Sequence, residues 1–194
     1  KISTLLLAPA IDLDEEMKAF LRERLKDFSL SVTALNHFLK DPKIFLENDL
    51  LQTPQVKSSA LVYGNAVHAA LRKWGLSVQD GLPLSLDQFI AEFDNYLVDR
   101  EILTDAERAN LLAQGKEDLP RYYDERLKEG IPYVHKVEYP LSANFDDIPL
   151  KGKIDRIDLE NPNSANATII DFKTGAPKTE SEIRGGDYHR QLVF

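Results

Sequence analysis

Two short runs of β-forming residues, Gly152 to Leu159 and Ala167 to Thr174, constrain this chain more than any other stretch; a turn of Asn, Pro and Ser separates them. Each carries an aspartate where a strand would bury an apolar side chain. Asp155 follows Ile154, and Asp171 stands between Ile170 and Phe172. An unpaired carboxylate in such a place is costly, so a cation is the expected compensation. Side chains alternate along a strand, which puts Asp171 and Lys173 on one face and Ile170 and Phe172 on the other. The two acids and the lysine are therefore expected to converge on one spot.

Such a convergence suits hydrolysis of a phosphodiester. The carboxylates would hold a hard divalent cation, Mg²⁺ or Mn²⁺, through oxygen ligands and retained waters. The metal acidifies a bound water and neutralises charge on the phosphate, while Lys173 positions that water as a point charge on a flexible stem. Alone, an Asp-x-Lys triplet is equally a strand-end salt bridge. The β-branched run before Asp171, the Thr174-Gly175 turn and the second strand aspartate upstream favour the active-site reading.

Composition narrows the chemistry further. With no cysteine among 194 residues, disulfides, thiolate catalysis and Cys-ligated zinc or iron–sulfur sites are excluded from this chain. Any metal must use oxygen or histidine. A formal net charge of −8 argues against broad, charge-driven nucleic-acid binding and leaves room for a local groove. No run reaches the ~18 apolar residues of a membrane span, and the opening KISTLLLAPAID lacks the basic flank of a signal peptide. A soluble, cytoplasmic protein with no membrane partner is expected. The chain starts without Met and stops at Gln191-Leu192-Val193-Phe194, so a fragment of a longer protein is expected as well.

Before the β region the pattern is helical. Lys1 to Ala10 reads as a leading strand or arm, and Asp12 to Phe28 as an amphipathic helix with Met17, Phe20, Leu21 and Leu25 in one stripe. Ser31 caps a helix through Leu39 that Asp41-Pro42 ends, and a short helix from Lys43 to Leu50 follows. His37 has no ligand chemistry spaced to meet it and reads as structural or solvated. Ser59 then caps a helix to Trp74, ended by Gly75, that is apolar almost all round and so buried. Within it Gly64 and His68 share a face, and the bare Gly64 lets another element approach where His68 points. Taken alone, His68 reads more readily as a satisfied core histidine than as a ligand.

Leu82 to Glu129 is a helical insert, started by the capping boxes Ser85-x-x-Gln88 and Thr104-x-x-Glu107 and closed by Gly130. Its Arg121, Tyr122, Tyr123 and Arg126 suit either contact with nucleic acid or an ordinary solvated face. From Ile131 the period changes: Tyr133 to Ala143 is a strand, Phe145 to Ile148 a turn and Leu150 to Leu159 the hairpin partner. Glu138 is either a further acid near the metal or half of a cross-strand ion pair. Asp187 opens a last helix on which Tyr188 and Gln191 are neighbours, placed to steer a phosphate backbone or to sit on plain surface.

Four motifs in this order resemble those of the PD-(D/E)XK nuclease superfamily, in particular the RecB-like nuclease domains attached to helicases. They are Gly64-x-x-x-His68, Gly152-Lys153-Ile154-Asp155-Arg156, Asp171-Phe172-Lys173-Thr174-Gly175 and Tyr188-x-x-Gln191-Leu192. Ser31 to Leu35, with Asp41-Pro42 and Phe45, is similar to that family's N-terminal helical signature. The resemblance implies an α/β fold with a restriction-endonuclease-like core: a helix, a three-stranded mixed sheet, a helix and a further strand for which no sequence is present. It implies that His68, Asp155 and Asp171 hold the metal with the Phe172 backbone carbonyl. It makes Asp155, Asp171 and Lys173 catalytic, and Tyr188 and Gln191 DNA-side or supporting residues. Some relatives place a cluster-ligating cysteine before the proline matching Pro42. Asp41 stands there in this chain, so no iron–sulfur cluster is expected.

The expected layout is one nuclease domain over residues 1–194: arm and helices 1–58, core helix 59–75, helical insert 76–130, sheet with the active site 131–175, and the start of a C-terminal helix 176–194. The expected function is metal-dependent hydrolysis of DNA, as the exonuclease part of a repair or recombination helicase–nuclease, with DNA ends and a helicase domain or subunit as partners. The alternative is a nuclease-like module that no longer cuts and serves as a DNA-end-binding or subunit-docking scaffold.

Overall fold

The computed structural model describes residues 13–193, so the arm expected over Lys1 to Ala10 lies outside the described residues. In order, the elements are α1 (Glu15–Lys26), α2 (Val32–Lys40), α3 (Pro42–Phe45) with a π-helical turn at Leu46–Leu50, α4 (Ser59–Gln79), α5 (Leu86–Arg100), α6 (Asp105–Glu129), β1 (Tyr133–Phe145), β2 (Ile148–Leu159), β3 (Ala167–Ile170), α7 (Glu180–Gly185) and α8 (Asp187–Val193). These eight α-helices and one three-stranded antiparallel sheet, in the order β1-β2-β3, are consistent with a restriction-endonuclease-like fold. The chain divides into two compact units. One comprises Lys1–Gln55, Leu141–Gly152 and Pro177–Phe194, the other Val56–Pro140 and Lys153–Ala176.

In the first unit α1, α2 and α3 each start where a side chain can satisfy an orphan amide. Asp14 accepts from the Met17 amide at 2.7 Å, Ser31 from Ala34 at 3.1 Å, and Asp41 from Lys43 at 2.8 Å. Of the apolar stripe on α1 only Leu21 is buried; Met17, Phe20 and Leu25 are exposed. Phe45 meets the rings of Phe28 and Phe38 edge-on at 5.5 and 5.7 Å, a favoured aromatic geometry. His37 pairs with Asp49 at 2.8 Å, which gives it the structural role that its spacing suggested. Leu30 forms an isolated parallel bridge with Leu150, closed by the Leu30 amide on Pro149 at 2.8 Å and the Lys151 amide on Leu30 at 2.9 Å. Among the described residues, parallel pairing in the expected mixed sheet is confined to that bridge; β2 and β3 pair antiparallel.

The second unit is built on α4. Its cap is Ser58 rather than Ser59, with the Ser58 hydroxyl accepting from the Leu61 amide at 3.2 Å. Gly75 does not end this helix, which runs to Gln79. The glycine instead makes room for β1: a Cβ there would lie 3.0 Å from Val137. Both expected capping boxes form and start α5 and α6. Phe89, Phe93 and Leu97 of α5 are completely buried in one cluster with Val62, Ala66, Ala70 and Trp74 of α4 and Leu111 and Leu119 of α6. Each such large side chain stabilises the fold by roughly 1.5–3 kcal/mol. Tyr122 and Tyr123 join this packing instead of forming a stacking surface. Tyr122 meets Trp74 edge-on at 6.2 Å, and the Tyr123 hydroxyl donates to the Leu84 carbonyl at 3.0 Å.

Candidate active site

The β2–β3 ladder sets Arg156 opposite Ile170, Ile157 opposite Ile169, Asp158 opposite Thr168 and Leu159 opposite Ala167. One further step would set Asp155 opposite Asp171. Like charges directly across a strand pair are destabilising, and the ladder stops there. This is why β3 ends at Ile170 and not at Thr174, where the β-forming run ends. Asp155 instead turns its carboxylate to the loop: Oδ2 accepts from the Phe172 amide at 2.8 Å. The side chain thereby takes the place of a ladder acceptor and ties the Phe172 backbone to β2.

His68 of α4 closes on the same loop. Its Nε2 lies 3.0 Å from the Phe172 carbonyl oxygen, and its Nδ1 lies 3.6 Å from Asp155 Oδ2. Gly64, one turn earlier on α4, permits this approach, since a Cβ there would lie 3.1 Å from Thr174 Oγ1. The structure thus brings together His68, Asp155 and the Phe172 carbonyl. Asp155 is buried, while Asp171 and Lys173 are exposed and form an ion pair at 2.7 Å across the i, i+2 spacing of extended chain. Among the described residues no group of three His, Cys, Asp or Glu side chains meets in metal-holding geometry. Tyr188 and Gln191 lie on α8, half-buried, in the first unit. Glu138, of the two roles open to it, forms the cross-strand ion pair, with Lys153.

Arg156 is the residue whose importance the motifs did not reveal. It is 1% exposed, yet charged. Its guanidinium sits between the rings of Trp74 and Phe172, at 5.4 and 5.5 Å, donates to the Tyr122 hydroxyl at 3.1 Å and pairs with Asp158 at 2.9 Å. It therefore braces Phe172, the residue whose amide and carbonyl face Asp155 and His68. The signal was present in outline, because strand alternation puts Arg156 and Asp158 on one face. Burial holds the Asp158 carboxyl above its ordinary range despite Arg156, and its Oδ1 has no hydrogen-bond partner. Beside the loop a cavity of about 270 Å³ is lined by Tyr63, Asp118, Phe172, Lys173 and Thr174 among others. Burial, and then its 2.7 Å hydrogen bond to Asp118, keep the Tyr63 phenol neutral, so it serves there as a fixed donor and not as a base.

The chain belongs to the PD-(D/E)XK nuclease superfamily, whose family model matches residues 29–194. Members are nucleases, phosphodiester hydrolases that generally use Mg²⁺ or Mn²⁺. No curated protein and no solved structure matches the chain. Among the described residues no helix is long and apolar enough to cross a membrane.

Proposed function

We propose that this chain is a DNA exonuclease domain that works with Mg²⁺ or Mn²⁺ and forms part of a RecB-like helicase–nuclease acting in DNA repair or recombination. The observation that carries the reading is the meeting of His68, Asp155 and the Phe172 carbonyl at the foot of the Asp171–Lys173 loop. One imidazole nitrogen, carboxylate oxygens and a main-chain carbonyl make a donor set suited to a hard divalent ion. His68, Asp155, Asp171 and the Phe172 carbonyl would hold it. Bound there, a divalent ion would supply a more acidic water and would offset charge on the phosphate.

The protein's own groups do the rest. Asp155 fixes the loop through the Phe172 amide, and Arg156 fixes the Phe172 ring from below. Lys173 donates hydrogen bonds to the attacking water and to the phosphate oxygen on which negative charge accumulates. Tyr188 and Gln191 act as DNA-side or supporting residues. A helicase domain or subunit delivers the DNA end, in the cytoplasm.

The test is cleavage of end-labelled single- and double-stranded DNA with Mg²⁺, Mn²⁺ or Ca²⁺. The expected result is shortening from an end, reduced at least a hundredfold in Asp171→Ala. Equal cleavage by Asp171→Ala would sink the site assignment. Absence of cleavage together with absence of Mg²⁺ binding by calorimetry would favour the non-cutting scaffold.

A further inference from the structure

Within the second unit, an open groove of about 520 Å³ is lined by Asn65, His68, Ala69 and Arg72 of α4, Tyr96 and Arg100 of α5, and the Glu138–Lys153 pair of β1 and β2. Arg72 follows His68 by four residues and Arg100 follows Tyr96 by four, so each helix presents an adjacent pair of these side chains to the groove. Ala69 keeps the α4 wall low between His68 and Arg72. Arg72 and Arg100 are exposed, and among the described residues neither forms an ion pair, in contrast to Arg108, Arg121, Arg126 and Arg156. Glu138, the acid of the lining, is neutralised by Lys153. The groove is therefore locally cationic in a chain of net charge −8, and His68 is common to it and to the site at Asp155 and Phe172.

We propose that this groove binds the phosphates of a single-stranded DNA segment, with Arg72 and Arg100 as its two arginine contacts and α5 of the helical insert as one wall; the proposal rests on the nuclease reading above. Arginine matches phosphate with a planar fork of donors, and two such forks facing one groove fix the path of a backbone through it. The half-buried Tyr96 adds an aromatic surface for a base, the usual complement to cationic contacts in sequence-tolerant single-strand binding. The insert, whose pattern carries no catalytic set, thereby gains a role: it orders the strand that His68 meets.

The test is anisotropy of a fluorescent single-stranded oligonucleotide in Ca²⁺, titrated with the full chain over a range of NaCl. Each phosphate contact on single-stranded DNA contributes about 0.7 to the slope of log affinity against log salt. Arg72→Gln/Arg100→Gln should flatten that slope by about 1.4 and weaken binding at least tenfold at low salt, while Arg72→Lys/Arg100→Lys retains the slope. If the double glutamine variant does not fold, the single variants carry the test, at about 0.7 each. Cleavage in Mg²⁺, run in parallel on the parent chain, separates the two claims. A parent that cleaves while the glutamine variants keep the full slope overturns the groove and leaves the nuclease reading standing. A flattened slope in the variants of a parent that never cleaves supports the groove and removes the nuclease. A parent with no affinity for the oligonucleotide overturns the groove, and the nuclease reading then stands or falls on cleavage in Mg²⁺ alone.

Discussion

The two faces of α4 show opposite solutions to holding a helix in place. One face presents Val62, Ala66, Ala70 and Trp74 to the buried aromatic rings of α5, and its contacts are apolar and interchangeable in kind. The other presents Asn65, His68 and Arg72 to a groove and a loop, where His68 has one specific counterpart in the Phe172 carbonyl and Arg72 is exposed. Area holds the first face and geometry defines the second. Stability and activity should therefore fail separately: damage to the apolar face unfolds the protein, and damage to the polar face disarms it while it stays folded.

The sharpest way to break that comparison is Lys173→Ala. On the proposed mechanism it lowers cleavage about a thousandfold, ~4 kcal/mol in transition-state terms, while stability changes by less than about 0.5 kcal/mol because its pair with Asp171 is exposed. Kinetics beside thermal melting of the same sample checks both halves. Phe93→Ala should do the reverse, costing about 3–4 kcal/mol in urea unfolding while the folded fraction keeps its specific activity.

Arg156→Ala sits between the faces, since it leaves the Asp158 carboxylate buried without its cation and removes the brace under Phe172. A loss of about 3 kcal/mol is expected, part of it recovered in Arg156→Ala/Asp158→Ala because no uncompensated charge remains. Equal losses in the single and double variants would show that the ring contacts, and not the ion pair, carry the effect.

Asp158 also imposes a pH dependence. Burial raises its carboxyl above the ordinary 3.8, so between those two values the folded state binds more protons than the unfolded. Stability relative to Asp158→Asn should then be greatest below pH 3.8 and fall as pH rises through the folded value. Denaturant midpoints of both proteins across that range read the sign directly. The smallest change is Gly64→Ala. Helix propensity favours alanine by about 1 kcal/mol, but the new methyl crowds Thr174 at 3.1 Å. Melting should shift little in either direction, while cleavage falls about tenfold as the loop carrying Lys173 is displaced.

Much of the local structure was legible. Ser85 with Gln88 and Thr104 with Glu107 announced α5 and α6, because a capping box lies within one turn. The errors fall where a distant element intervened. Gly75 resembles a helix terminus until Val137 is seen to need its space, and the run to Thr174 reads as strand until Asp155 is placed opposite Asp171. Tyr122, open in the sequence to nucleic-acid contact or to a solvated face, packs edge-on against Trp74 and Phe172 instead.

The sequence by itself determined the starts of α2, α5 and α6, the change of period at Ile131, the shared face of Asp171 and Lys173, and the motif order by which the family is recognised. These depend on interactions between residues a few positions apart, which periodicity and capping express directly. Only the tertiary structure decided that His68 meets the Phe172 carbonyl from 104 residues away, that Arg156 lies between Trp74 and Phe172, and that Arg72 and Arg100 face one groove. Such meetings follow from which apolar faces pack together, and the polar residues on the opposite faces are carried into place by burial in which they take no part.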